Sequence, residues 1–370
     1  MTFVHSSDWQ LGRTRRYLGV EAQARFTGDR MHTIETIGEL AKKEGATFIV
    51  VAGDVFEHAN LSPRDIGRSF EAMAEVELPI YLLPGNHDPL GPGSIWHSTA
   101  VTQAMPKNVT LLDTTDPVVA APGVEIIGIP WHSKNPGKDP ITPVLSSLDP
   151  TENVRILVGH GMLRELDPNR DSTDFVDSAA LRMAIKSGLV DYVALGDRHI
   201  AWTDPETGAI NYSGTHETTS ENEKTRGTAL VVTIDGKVTT ELHEVGQWLH
   251  QLVTRSIDSA EDVQLLAEDL AEIRSKDRTI IKTAFTGGLS ISAAAQLDGV
   301  LDSNRDLFAA LYASKSKTDL TVVPDEADAY SLGLSGFAAD AFAELSAEAQ
   351  AGDPTAADAL KLLYRIGAEQ

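Results

Sequence analysis

Leu82-Leu83-Pro84-Gly85-Asn86-His87-Asp88 ends an apolar run in a turn that presents an amide, an imidazole and a carboxylate in succession. Upstream, Gly53-Asp54 ends another apolar run; downstream, Gly159-His160 and Gly196-Asp197-Arg198-His199 end two more. Oxygen and nitrogen ligands delivered from several strand ends suit a pair of divalent cations holding a water-derived nucleophile in line with phosphorus. One such turn is an ordinary loop. Four in this order along one chain point to a dinuclear metal centre, with Asp8 of Ser6-Ser7-Asp8-Trp9-Gln10 as a further strand-terminal carboxylate.

The runs that precede these turns read as strands: Thr2 to Ser6, Thr47 to Ala52, Pro79 to Leu83, Val109 to Leu112, Val124 to Ile129, Arg155 to Val158 and Tyr192 to Leu195. Between them, residues 21 to 44 carry Met31, Ile34, Ile37 and Leu40 at helical spacing, and residues 64 to 76 read as a second helix. This βα alternation predicts a layered α/β domain with its chemistry on the loops at strand ends. Ile210 to Tyr212, Thr228 to Ile234 and Val238 to Val245, the last two joined by Asp235-Gly236, read as strands of a closing sheet.

From about residue 246 the pattern changes. Residues 247 to 256, 278 to 286 and 318 to 323 read as strands of a small α+β module. Its helix spans Ser259 to Lys276, with Val263, Leu266, Leu270 and Ile273 on one face and Ser259 with Asp262 as a capping box. Beyond 329 two helices are expected around Gly352-Asp353-Pro354, carrying Phe337, Phe342, Leu345, Leu360, Leu363 and Tyr364. Neither has enough apolar surface to stand alone, so they should dock on this chain, on a second protomer or on a partner helix. The predicted boundaries are 1–245, 246–328 and 329–370.

The 370 residues, 42% of them hydrophobic, include no cysteine, which excludes disulfides and zinc-thiolate sites and leaves oxygen and imidazole ligands. Mn²⁺ fits that donor set first, with Mg²⁺ as the other fit. No long apolar run marks a membrane span or a secretory leader, so a cytoplasmic protein is expected. The net charge of −23 is awkward for a nucleic-acid enzyme. Arg13, Arg15, Arg16, Arg25 and Arg30, close behind Asp8, are expected to form a basic rim beside the metals.

In the resulting assignment Asp54 bridges both ions, Asp8, Gln10 and His199 complete one, and Asn86, His160 and Asp197 complete the other. His87 contacts phosphate or protonates the leaving oxygen, and Asp88 orients that imidazole. Arg198 is expected to point outward. His5, His97, His132 and His216 are read as structural, and His58 as a minor catalytic candidate.

With these residues the chain resembles the calcineurin-like metallophosphoesterases, and among them the SbcD exonucleases. The narrower likeness rests on Val4-His5-Ser6-Ser7-Asp8-Trp9-Gln10-Leu11-Gly12, Gly53-Asp54-Val55-Phe56 and Tyr212-Ser213-Gly214-Thr215. Motifs carry it to about residue 245; order and size carry it beyond. The resemblance implies a four-layer sandwich of two mixed sheets flanked by helices, followed by a small α+β capping domain that contacts DNA and by C-terminal helices. It also implies two Mn²⁺ ions, DNA-end processing, a homodimer, and an SbcC-like coiled-coil ATPase gripped by those helices. Relatives usually place His where Gln10 stands, His where Asp197 stands, and His or Asp at Glu57. The substitutions harden the site and should lower affinity for the first ion. The rival expectations are a phosphodiesterase or phosphatase acting on a non-DNA substrate, and a weakly active DNA-end scaffold subunit.

Overall fold

Phe3 and His5 on one face of β1 (Thr2–Ser6) and Val4 on the other are all buried, so both faces of this strand are covered. In the computed structural model, which describes residues 1–167, 175–322 and 335–368, β1 lies inside a six-stranded mixed sheet. β2 (Ile49–Val51), β3 (Ile80–Leu82) and β4 (Val109–Leu111) follow it in parallel, each pairing with the one before. The carboxyl ends of β1, β2 and β3 therefore open on one edge.

A second six-stranded sheet has the order β11-β12-β10-β7-β6-β5: Trp202–Thr203, Ile210–Tyr212, Tyr192–Gly196, Val154–His160, Val124–Gly128 and Val118–Ala121. β6, β7, β10 and β12 run parallel, and the register sets Gly196 beside His160. A two-stranded ladder joins β8 (Met162–Leu163) to β9 (Phe175–Val176). Phe3, Phe48, Val50 and Tyr81 from one sheet pack on Ile156, Val158 and Tyr192 from the other. The outer face of the first sheet is covered by α1 (Val20–Lys43) and α2 (Pro63–Glu75), through Ile34, Ile37, Phe70 and Met73. Over the second lie α4 (Ile141–Leu145) and α5 (Ser178–Lys186). The short helix α3 (Thr99–Ala104) adds Val101 to the first outer core. These are the four layers that the sequence predicts.

The expected closing sheet does not form. β13 (Thr228–Ile234) pairs antiparallel with β1, and β14 (Val238–Glu244) with β13, whereas β12 extends the second sheet. The reason lies in the side chains: Leu230 and Val232 fill the layer between the sheets, while Ile210 and Tyr212 belong to the outer core of the second.

Buried polar groups tie α1 to the far end of this body. Arg30, 1% exposed, donates to the Trp9 carbonyl through Nε (3.1 Å) and Nη2 (2.8 Å) and to the Glu217 carbonyl through Nη1 (3.3 Å). The wholly buried Glu217 carboxylate accepts from Thr33 Oγ1 at 2.6 Å and from the N–H groups of Gln247 and Trp248 at 2.8 and 2.9 Å. Opposite charges with their hydrogen bonds filled can remain inside, and removal of one partner typically costs about 3–5 kcal/mol.

The chain divides into two compact units, Met1–Arg16 with Gln23–Leu249, and Tyr17–Ala22 with His250–Gln370. The second unit has a sheet of β15 (Leu249–Ser256), β16 (Thr279–Leu289), β17 (Ala310–Ala313) and β18 (Asp319–Val322), with β17 and β18 parallel to successive parts of β16. Its helix α6 (Ala260–Glu272) is capped by Ser259, whose Oγ accepts from the Asp262 N–H at 3.2 Å, and it ends four residues before the predicted Lys276. Sequence reading missed α7 (Ile291–Arg305) and β17. The two C-terminal helices, α8 (Phe337–Gln350) and α9 (Pro354–Ala368), belong to this unit: Phe342 and Leu360 pack on Ile291 of α7. The boundary expected at 328/329 lies outside the described residues.

His5 provides a test of the layer between the sheets. Burial lowers its pKa from 6.5 to about 3, while its Nδ1 meets the Tyr192 hydroxyl at 3.0 Å. Because the unfolded chain takes up this proton near its ordinary pKa and the folded chain does not, stability due to His5 is lost as pH falls from about 6.5 toward 3. Chemical denaturation of wild type should therefore lose about 1.4 kcal/mol per pH unit more than His5→Phe in that window. Parallel pH profiles would contradict a neutral, buried imidazole.

Candidate metal centre

Each predicted ligand stands just past a parallel strand. Asp8 follows β1, Asp54 follows β2 and Asn86 follows β3, while His160 ends β7 and Asp197 and His199 follow β10. Pairing continues beyond the strand ends, with Asp8 N–H donating to Gly53 O at 3.1 Å and Gln10 N–H to Asp54 O at 2.8 Å. Non-glycine residues seldom take positive φ, yet Asp8 (53°), Gln10 (43°), Asp54 (53°) and Asp197 (88°) all do. Such a conformation costs about 1–2 kcal/mol per residue, and its clustering marks a functional site. Glycine answers the remaining crowding: a Cβ on Gly53 (φ 89°) would run into the His160 ring, and one on Gly85 into the Asp54 carboxylate.

Asp8, Asp54 and His160 each bring one ligand atom into a group whose members lie within 4.8 Å of one another. His160 Nδ1 faces the Ala52 carbonyl at 2.8 Å, so it carries a proton, and Nε2 turns inward to Asn86 Oδ1 at 2.8 Å and Asp54 Oδ1 at 3.4 Å. The inward atom of the Asn86 amide also lies 3.1 and 3.3 Å from the two Asp54 oxygens. Asp197 Oδ1 is 3.9 Å from His160 Nε2, on the same side. A turned amide would donate its NH₂ to this group; with its oxygen inward, acceptors face acceptors, which is the donor set a divalent cation takes. The residues fit such an ion.

On the other side, His199 Nε2 lies 3.8 Å from Asp8 Oδ1, and its Nδ1 meets Thr219 Oγ1 at 2.7 Å and Glu223 Oε1 at 3.3 Å. Ser7 Oγ (2.6 Å) and the Asp197 N–H (3.0 Å) hold the Asp8 carboxylate. Gln10 is turned away from the expected role: its Oε1 accepts from Arg13, so the amide directs its NH₂ inward, 3.4 Å from His199 Nε2.

His87 sits at the opening, its side chain 29% exposed, with Nε2 3.9 Å from Asp54 Oδ2. Its Nδ1 is fixed by the Glu57 carbonyl at 2.8 Å and not by Asp88. The Asp88 carboxylate instead accepts from the Gly85 N–H at 2.8 Å and the Phe56 N–H at 3.0 Å, shaping the loop from inside. Its burial leaves it out of reach of substrate. The basic rim is also smaller than expected: Arg30 is core, and Arg13 and Arg15 hold Gln10 with Glu57 and the Thr219 carbonyl, respectively. Arg198 is half-buried, with Nε shielded and unpartnered, and does not simply project outward. His58 is exposed, its Nδ1 accepting from the Asn60 N–H. Glu223 and Thr219, which position His199, have no motif around them that sequence reading could use.

Burial works against a charged His160, but Asp54, Asp8 and Asp197 outweigh it and raise the imidazole to about 9. Burial raises Asp197 to about 6, Asp88 to about 7, and Asp8 upward as well. For His199, burial is again opposed and outweighed, here by Glu223 and Asp8, so its pKa rises. Asp54, which all these groups face, is the residue to remove. Asp54→Asn should weaken Mn²⁺ binding by more than about 100-fold, beyond the loss typical of an outer-sphere change. Titration calorimetry on the folded variant reads this, and wild-type affinity would contradict the assignment.

Against family profiles, residues 1–201 match the calcineurin-like phosphoesterases. Over 97 residues the chain is 30% identical to the uncharacterized metallophosphoesterase YhaO of Bacillus subtilis, covering 25% of this chain and 24% of that protein. Over 91 residues it is 31% identical to the DNA double-strand break repair protein Mre11 of Archaeoglobus fulgidus, covering 24% and 19%. The chain thus spans about a quarter or less of these relatives' length. Among solved structures, TT1561 of Thermus thermophilus superposes with a TM-score of 0.43 at 13% identity, over 66% of this chain and 98% of that one. A dimetal phosphatase from Danio rerio gives 0.39 at 11%, over 65% and 98%. With more than half of its 370 residues matched by one family, this chain belongs to the calcineurin-like phosphoesterases.

Proposed function

We propose that this phosphoesterase is a nuclease that hydrolyses phosphodiester bonds at DNA ends, with Mn²⁺ preferred over Mg²⁺. One observation carries the chemistry: ligand atoms of Asp8, Asp54 and His160 converge, with the Asn86 amide against them, beside the half-buried His87 imidazole. Divalent ions, when bound there, supply Lewis acidity and an activated water. The chain's own contribution is at His87. With Nδ1 fixed on the Glu57 carbonyl, Nε2 is the nitrogen open to substrate, where it can steady phosphate charge or give a proton to the departing oxygen. DNA as substrate is supported by the 91-residue likeness to the archaeal Mre11 protein.

A homodimer and a coiled-coil ATPase of SbcC type complete the reading. For the ATPase, support comes from apolar side chains left outward on the C-terminal helices, Phe337 at 88% and Leu362 at 58% exposure. The non-DNA phosphodiesterase is the second reading, favoured by the net charge of −23 and by the burial of Arg30.

One assay separates the two. Purified protein with Mn²⁺ is given end-labelled linear duplex, single-stranded oligonucleotide and bis-p-nitrophenyl phosphate. The nuclease reading expects shortened DNA, and a loss of at least about 100-fold in His87→Ala and in Asp54→Asn. Turnover of the chromogenic ester with DNA untouched favours the second reading, and full activity in both variants contradicts the site.

A further inference from the structure

The two halves of the metal centre are unequal, and Arg13 makes them so. Its Nη1 donates both to Gln10 Oε1 and, at 2.9 Å, to Glu57 Oε2. A guanidinium is donor-only, so this contact fixes which end of the Gln10 amide faces outward. The NH₂ is left against His199 Nε2 at 3.4 Å, on the side where Asp8 is the other acceptor. The Arg13 and Glu57 side chains are only 13% and 21% exposed, so solvent competes little for the pair. On the opposite side the Asp54 carboxylate and the His160 ring nitrogen turn inward, the Asn86 amide lies against both, and Asp197 stands beside them.

We propose that Arg13 is a latch that keeps the Gln10 oxygen out of the coordination sphere. The chain therefore holds one divalent ion tightly, through Asp54, Asn86 and His160, and a second one weakly. Two effects act together: a ligand atom is withdrawn, and a guanidinium charge stands next to the weaker position. Release of the latch lets the amide turn its oxygen inward and removes that charge. The inference rests on the reading of the cluster as a metal centre, and its test separates the two.

The test is a Mn²⁺ titration followed by calorimetry and by electron paramagnetic resonance, which distinguishes isolated from spin-coupled ions without any need for activity. Wild type should bind one ion, then a second at least about tenfold more weakly. Arg13→Met should tighten the second ion about tenfold and bring the coupled signal to lower Mn²⁺, with thermal unfolding as the check on folding. Gln10→Ala alone should leave the second affinity within about twofold, because the amide oxygen is not a ligand, yet should cancel part of the gain when added to Arg13→Met. Two equal affinities in wild type would overturn the latch while sparing the metal centre, as would a weakened second ion in Gln10→Ala or an unchanged one in folded Arg13→Met. Failure of any ion to bind would overturn both.

Discussion

Buried carboxylates gather where the carboxyl ends of the two sheets meet, and their charge organises the rest of this unit. Asp8 and Asp54 are almost wholly buried, and the His160 imidazole is buried against them. Carboxylates in such a setting must gain a cation or a proton. Asp54, Asp8 and Asp197 raise the His160 imidazole to about 9 despite its burial, a sign of how strongly they draw positive charge. A divalent ion meets that need with more ligands and more charge.

The backbone is bent to this purpose. Among the described residues, six non-glycine positions take positive φ, and four of them are Asp8, Gln10, Asp54 and Asp197. That strain is tolerated because the layers beneath are over-determined. Phe3, Phe48, Tyr81 and Tyr192 lock the two sheets face to face, and the Arg30–Glu217 network ties α1 to the segment that follows β12. Packing between the sheets thus sets the distance between the carboxylates of one and the imidazoles of the other. His199 shows the same logic one layer out. Thr219 and Glu223 hold its Nδ1, and the latter is kept at about 2, its own burial being outweighed by His199 and the Thr219 contacts.

Much of this was legible in the order of residues. Apolar runs ending in Gly53-Asp54, Gly85-Asn86-His87 and Gly159-His160 fixed the strands and their active ends, because a buried parallel strand must be apolar throughout and its ligands can only follow it. What escaped were contacts decided by side-chain direction. Asp88 sits next to His87 in sequence, yet its carboxylate turns back to the loop amides and Glu57 supplies the carbonyl that His87 needs. Gln10 lies two residues after Asp8 as a ligand would, but Arg13 captures its oxygen. The helix α7 escaped for another reason: it is buried on two sides, by Ala293, Ala294 and Leu297 in the sheet's core and by Ile291 under the C-terminal helices, so it shows no single apolar stripe.

The central claim is that a buried excess of acceptors at Asp54, Asn86 and His160 is a cation site. Anomalous diffraction at the manganese edge, from crystals grown with Mn²⁺, tests it directly. The account requires a strong peak within coordination distance of those three side chains, with the Asn86 oxygen turned toward it. An empty density there at saturating Mn²⁺, or a peak that avoids Asp54, would contradict it.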